Sequence, residues 1–227
     1  TGALRRRAQL VSLRDDLAYV EVRGNLDTRI KRAMDEGGDL DAIVLASAGI
    51  VRMGWEENIA EYFEPERMVP AVGQGAIGVE IRADDEEAQR ICALIGDRHT
   101  SFCVEAERHI MRVLEGGCQV PIGAYARFSG TSLVIDALVS SLDGRTVVHS
   151  HREASGFGHR GRASAAQDAT RQEASEASAS KSAGRNVELA QTVVDDLIAQ
   201  GAVAILDEVR AANDAAGICG IDAGDAR

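Results

Sequence analysis

Pro70-Ala71-Val72-Gly73-Gln74-Gly75 packs one proline and two glycines into six positions, a density of breakers that no helix or strand interior accommodates. The run acts as a hinge or crossover and splits the chain into stretches with different hydrophobic rhythms. Before it, Leu17-Ala18-Tyr19-Val20-Glu21-Val22 and Ala42-Ile43-Val44-Leu45-Ala46 read as strands. Between them, Asp27 to Glu36 reads as a helix started by Asp27 or Thr28. Strand, helix, strand predicts a parallel α/β unit. A short helix over Trp55 to Phe63 follows it, and beyond the hinge Ile77-Gly78-Val79-Glu80-Ile81 reads as a further strand.

The second half follows another pattern. Asp84-Asp85-Glu86-Glu87 places acids in the first turn of a helix reaching about Ile95, where they favour the dipole. A second helix, Ser101 to Glu115, puts Phe102, Ala106, Ile110, Val113 and Leu114 on one face as a core stripe. Ile122 to Arg127, Ser132 to Val139 and Thr146 to His151 then form a small antiparallel sheet, with Asp143-Gly144 as a hairpin turn. A helix over Val187 to Gln200 covers that sheet. Residues 154 to 185 are rich in Ala, Ser, Gly and Arg. They bury too little apolar surface to offset their ordering entropy, and are expected to be a mobile insertion. Gly217 to Arg227 reads as a frayed tail.

Charge narrows the function. The chain carries a formal net charge of −11, which disfavours a nucleic-acid partner. Yet residues 1 to 32 hold eight Arg or Lys against four acids. A basic site in an acidic protein suits a small polyanion in a cleft. No apolar run approaches the roughly eighteen residues of a membrane span, so no membrane partner is expected. Cys92, Cys103, Cys118 and Cys219 show neither paired nor metal-ligand spacing, which predicts a reducing, cytoplasmic setting. His149 and His151 share one face of a strand without a further ligand pattern, so no metal site is assigned.

One cysteine stands apart. Gly116-Gly117-Cys118-Gln119-Val120-Pro121-Ile122-Gly123 follows the amphipathic helix directly, with two glycines able to end it in a left-handed turn and a proline stiffening the exit. That frame, extended back through Leu114-Glu115 and Ala106-Glu107-Arg108, belongs with several other blocks. They are Leu4-Arg5-Arg6, Arg23-Gly24-Asn25 with Thr28-Arg29, Asp41-Ala42-Ile43-Val44-Leu45-Ala46, Ala48-Gly49 with Arg52, and Pro70-Ala71-Val72-Gly73-Gln74-Gly75-Ala76. Together they resemble the porphobilinogen deaminase family, also called hydroxymethylbilane synthase.

The resemblance implies a transferase of porphyrin and heme biosynthesis that condenses four porphobilinogen molecules head to tail, with loss of ammonia. It implies a partial, periplasmic-binding-protein-like α/β domain over residues 1 to 71, and a hinge and crossover over 72 to 96. A C-terminal α+β domain with a three-stranded antiparallel sheet spans 97 to 227. Cys118 matches the thioether attachment point of the dipyrromethane cofactor. Arg5, Arg6, Arg23 and Arg29 match cofactor-binding arginines, and Arg29 and Arg52 match substrate-binding ones. Arginine suits this task because its planar fork pairs with carboxylate and stays charged. Arg7, Arg14, Lys31 and Arg32 read as a solvated face.

Two departures stand out. Gly2-Ala3 replaces residues that are often serines in the family. The family's catalytic aspartate falls upstream of Thr1, so no catalytic residue is assigned here; Asp27 and Asp41 read as helix cap and strand edge. The chain is therefore expected to lack an N-terminal part, to be inactive alone with Ile77, Val79 and Ile81 exposed, and to be monomeric when complete. The rival reading is a non-catalytic small-anion binding module of two-lobed α/β type.

Overall fold

The computed structural model describes residues 1–115, 120–157 and 184–216. Within these, seven α-helices accompany one three-stranded sheet. In chain order the elements are α1 (Leu4–Leu13), α2 (Leu26–Met34), α3 (Ser47–Arg52), α4 (Glu86–Ile95) and α5 (Arg98–Val113). There follow β1 (Ile122–Ser129), β2 (Ser132–Ser140), β3 (Val147–Ala154), α6 (Arg185–Ala199) and α7 (Ala202–Ala215).

Local chemistry sets the helix starts. Asn25 caps α2, its side-chain oxygen accepting from the Thr28 N–H at 2.9 Å, so the start lies at Asn25 rather than at Asp27 or Thr28. Asp85 and Asp97 do the same for α4 and α5, accepting from Ala88 N–H at 2.9 Å and Thr100 N–H at 2.7 Å. The α5 stripe is largely as expected: Ala106, Ile110 and Leu114 are buried and Phe102 packs at the core's edge. Val113 is the exception, at 40 % exposure, and Cys103 takes the buried position on that face.

The sheet runs β1-β2-β3, antiparallel throughout, with Ile122 opposite Val139 and Asp136 opposite His151. Its inner face, Ala124, Ala126, Leu133, Ile135, Ala137 and Val139, packs against α5, α6 and α7 in one core. Asp143-Gly144 lies in the β2–β3 turn as expected, with Gly144 at φ +72°. Phe157 corrects the expected insertion of 154 to 185: it is buried, its N–H donates to the Thr131 carbonyl at 3.0 Å, and Arg185 stacks over its ring. The core thus claims the chain as far as Phe157, while 158–183 and the tail from Gly217 lie outside the described residues.

The first half differs more. Leu17–Val22, Ala42–Ala46 and Ile77–Ile81 join no ladder, and the expected Trp55–Phe63 helix contracts to a single 3₁₀ turn at Glu56–Asn58. A strand exists only by pairing, and alternation in sequence cannot supply the partner. Ile77, Val79 and Ile81 are 78 %, 59 % and 37 % exposed, matching the expected apolar surface. Three helices were not anticipated, α1, α3 and α7, although in α7 Ala202, Ile205, Leu206 and Val209 carry helical spacing and are all buried. Among the described residues no single helix is long and apolar enough to cross a membrane.

The two halves meet through α1. Gln9 is buried and pairs with the backbone of Val69 in both directions, accepting its N–H at 2.8 Å and donating to its carbonyl at 3.0 Å. On the other side of the hinge, the Ala124 N–H of β1 donates to the Pro70 carbonyl at 3.2 Å. The β2–β3 turn closes on the same helix: a Cβ at Gly144 would overlap the Ala8 carbonyl oxygen and lie 3.0 Å from the Ala8 Cα and Val11 Cβ.

Candidate functional site

The start of α1 breaks a local rule. Arg5, Arg6 and Arg7 occupy its first turn, where the helix dipole disfavours cations, and that turn holds no acid and has no side-chain cap. Arg6 is half-buried and donates to the Gln74 side-chain oxygen at 3.0 Å. Burial above all, then the positive charges of Arg5 and Arg29, push its guanidinium down to about 10. Like charges are thus held near one another in a partly desolvated place. An anion bridging them would relieve both the mutual repulsion and the unfavourable helix end.

The five expected arginines do not all converge. Arg5 and Arg29 both lie close enough to Arg6 for its guanidinium to feel their charges. Arg29 is aimed by its Nε donating to the Gly24 carbonyl at 2.7 Å. Arg23 is turned to solvent, 86 % exposed and paired with Glu21 at 2.8 Å. Arg52 ends α3 exposed, in no ion pair with another described residue. Three of the cations read as a solvated face are ion-paired there: Arg14 with Asp16, Lys31 with Asp27, and Arg32 with Asp39. The Gly2 departure has a steric counterpart, because a Cβ there would come 2.5 Å from the Val22 carbonyl oxygen.

Cys118 lies outside the described residues, as do Gly116, Gly117 and Gln119. The positions flanking them are held firmly. Arg210 of α7 donates to the Leu114 carbonyl at 3.1 Å and pairs with Glu115 at 3.4 Å, while the Pro121 carbonyl accepts from Ser140 N–H at 3.1 Å. Arg210 had no signal in the sequence beyond a basic residue on an amphipathic helix.

Between the hinge and the first turns of α5 lies a cleft of about 530 Å³, lined by Gly73, Gln74, His99, Cys103, Glu107 and Tyr125 among others. It adjoins the arginines through Gln74. Burial pushes the Cys103 thiol up to about 12, with Glu107 and Asp97 adding to the effect, so this cysteine is inert at neutral pH. Glu107 was quoted only as part of a motif, yet it is buried and accepts two backbone N–H groups from different segments, Gly73 at 2.6 Å and Ala126 at 2.9 Å. Burial pushes its carboxyl up and these two bonds oppose the rise.

On the outer face of the sheet, Asp136 is buried and receives Arg127 Nη1 at 2.6 Å and His151 Nδ1 at 2.7 Å. His149 Nε2 stands 3.8 Å away, and Arg127 also reaches Glu66 ahead of the hinge. The two histidines therefore share a face as expected, but they serve a buried carboxylate that only the strand register brings opposite them.

These features describe a mixed α/β protein with a three-stranded antiparallel sheet and a group of guanidinium side chains beside the Pro70–Gly75 segment. Comparison with known families agrees. Residues 1–90 match the model described as porphobilinogen deaminase, dipyromethane cofactor binding domain, and residues 101–199 match porphobilinogen deaminase, C-terminal domain. The chain is 39 % identical over 210 residues to the porphobilinogen deaminase of Chlorobium chlorochromatii, covering 92 % of this chain and 59 % of that protein. It is 42 % identical over 211 residues to that of Desulforamulus reducens, covering 93 % and 59 %. Against that of Oceanobacillus iheyensis it is 50 % identical over 149 residues, covering 65 % and 48 %. The chain spans about half the length of the curated relatives it matches. It belongs to the porphobilinogen deaminase family.

Proposed function

We propose that the chain is part of a hydroxymethylbilane synthase, which condenses four porphobilinogen molecules into the linear tetrapyrrole hydroxymethylbilane. The observation that carries this reading is the guanidinium cluster at the start of α1, within the segment that matches the cofactor-binding domain. Porphobilinogen carries an acetate and a propionate, so every unit added brings two carboxylates. Arg5, Arg6 and Arg29 are already gathered for such a polyanion, and the donor set fits dipyrromethane. Arg23 and Arg52 are assigned to the same work, each at the end of one exposed side chain that a carboxylate could recruit.

Bound through Cys118, dipyrromethane would supply a tethered primer whose free pyrrole end accepts each new unit. The chain's own residues have simpler tasks. The arginines neutralise carboxylates and hold the growing end in register, Gln74 keeps Arg6 aimed without cancelling its charge, and Arg210 and Ser140 fix the residues on either side of the segment that carries Cys118. Acid chemistry at the pyrrole nitrogens is assigned to no carboxylate of this chain.

The same reading assigns residues 1–71 to a periplasmic-binding-protein-like α/β domain, 72–96 to a hinge and crossover, and 97–227 to the cysteine-bearing domain. The exposed Ile77, Val79 and Ile81 support a segment that other parts of the complete protein cover. Porphobilinogen is the proposed partner, the complete protein is taken as a monomer, and the unpaired cysteine spacing supports a cytoplasmic setting.

The test is an intact mass of the protein, expressed with any residues its gene places before Thr1, followed by peptide mapping of Cys118. A two-pyrrole adduct on Cys118, lost in Cys118→Ala, is expected. An unmodified Cys118 in folded protein that still binds porphobilinogen would instead favour the anion-binding module.

A further inference from the structure

We propose that Glu107 is a positioning residue: by pinning Gly73 of the hinge to Ala126 of β1, it fixes where the arginines of α1 stand relative to the helix that leads into Cys118. This inference rests on the site reading above. Glu107 sits on α5, 4 % exposed, and each carboxylate oxygen accepts a backbone N–H that belongs to no helix and, for Gly73, to no strand. A buried carboxylate is costly, and an apolar side chain would fill the same space at lower desolvation cost. What an apolar side chain cannot do is join two backbone segments at fixed distance.

The hinge is gripped from the other side as well. Gln9 of α1 brackets Val69 with two hydrogen bonds, and its Nε2 also donates to the Arg5 carbonyl at 3.1 Å. Arg6 reaches Gln74, the residue after Gly73. Residues 69 to 74 are therefore a shared rail: α1 with its arginines holds one edge, and α5 with β1 holds the other. α5 ends at Val113, five residues before Cys118. Releasing Gly73 leaves both arginines and thiol intact but frees the two halves to rock about the hinge. Misplacement on the scale of 1 Å suffices to slow a positioned reaction by about a hundredfold.

The experiment compares wild type with Glu107→Gln, whose amide can accept only one of the two N–H groups and presents N–H to the other. Three quantities are read in the protein used for the mass test: amide exchange at Gly73 and Ala126, porphobilinogen affinity in a Cys118→Ala background, and the rate of dipyrromethane attachment to Cys118. Exchange at Gly73 is expected to rise about tenfold, the loss of one charge-assisted hydrogen bond. Affinity should stay within about twofold, since the arginines are untouched, while attachment slows about tenfold or more. Unchanged Gly73 exchange overturns the proposal, and so does a parallel fall in affinity and attachment, which is what general loosening produces.

If Glu107→Gln loses protection across α5 and the sheet, Gln9→Met replaces it. Cutting the opposite grip must then raise Gly73 exchange with the same split between affinity and attachment, and its failure to do so overturns the proposal. A wild type that neither binds porphobilinogen nor carries an adduct removes the functional reading, while Gly73 exchange still decides whether Glu107 locks the hinge.

Discussion

Gly144→Ala should undock α1 from the C-terminal domain, and the size of the effect follows from two separable costs. Gly144 sits at φ +72°, where any residue with a Cβ is strained by about 1–2 kcal/mol. The added methyl would also overlap the Ala8 carbonyl and crowd Ala8 Cα and Val11 Cβ at 3.0 Å. Those atoms belong to backbone or to a helix face and cannot swing aside, so overpacking adds about 1–3 kcal/mol. Gly130, in the β1–β2 turn, isolates the first cost: its φ is +59° and a Cβ there meets nothing within 4 Å. The assay is amide exchange of α1 together with urea unfolding for both variants. Gly130→Ala should lower stability by about 1–2 kcal/mol without touching α1. Gly144→Ala should cost about 2–5 kcal/mol or, if the clash is relieved by separation, leave the sheet intact and raise α1 exchange sharply. Equal behaviour of the two variants would refute the packing argument, because the clash with α1 is the only difference assigned to them.

The Asp136 network makes a pH-dependent contribution. Burial raises its carboxyl, but hydrogen bonds from Arg127 and His151 outweigh that and hold it below the ordinary carboxylate value. A depressed folded value stabilises above the unfolded value and is lost as pH falls through the folded one. Asp136→Asn should therefore cost about 2–4 kcal/mol near neutrality, with the gap to wild type closing below about pH 4 in urea titrations; a gap that persists to pH 2.5 would contradict this. Ile110→Ala, fully buried in the last turn of α5, should lower stability by about 2–5 kcal/mol by urea unfolding. Val113→Ala, 40 % exposed, should cost under about 1 kcal/mol, and comparable losses would mean the helix faces are wrongly assigned.

Much of the second half was legible in sequence because its signals are local. Acids in the first turn mark α4, a 3.6-residue stripe turns Ala106 and Ile110 inward, and alternation with Asp143-Gly144 gives the sheet and its turn, although α5 starts at Arg98 behind an unread Asp97 cap rather than at Ser101. The first half was read less well. Leu17–Val22 and Ala42–Ala46 have the alternation of strands, but pairing needs a neighbour, and no ladder forms among the described residues. α1 was missed for an instructive reason: three arginines follow Leu4 in its first turn, where a helix favours acids, so the start carries none of the usual signals.

The sequence by itself determined the family and the cysteine frame, because a motif is a property of neighbouring residues. It also determined most of the inward face of α5, since helical period gathers Ala106, Ile110 and Leu114 on one side. Only the tertiary structure decided which arginines share one field, that Glu107 and Gln9 grip the hinge from opposite sides, and that Asp136 lies beneath two histidines. Gln9 and Val69 are sixty positions apart, and Glu107 and Gly73 thirty-four. Hydrogen bonds across such separations form only after loop closure and packing have brought the backbones together, and no periodicity in the chain encodes where that happens.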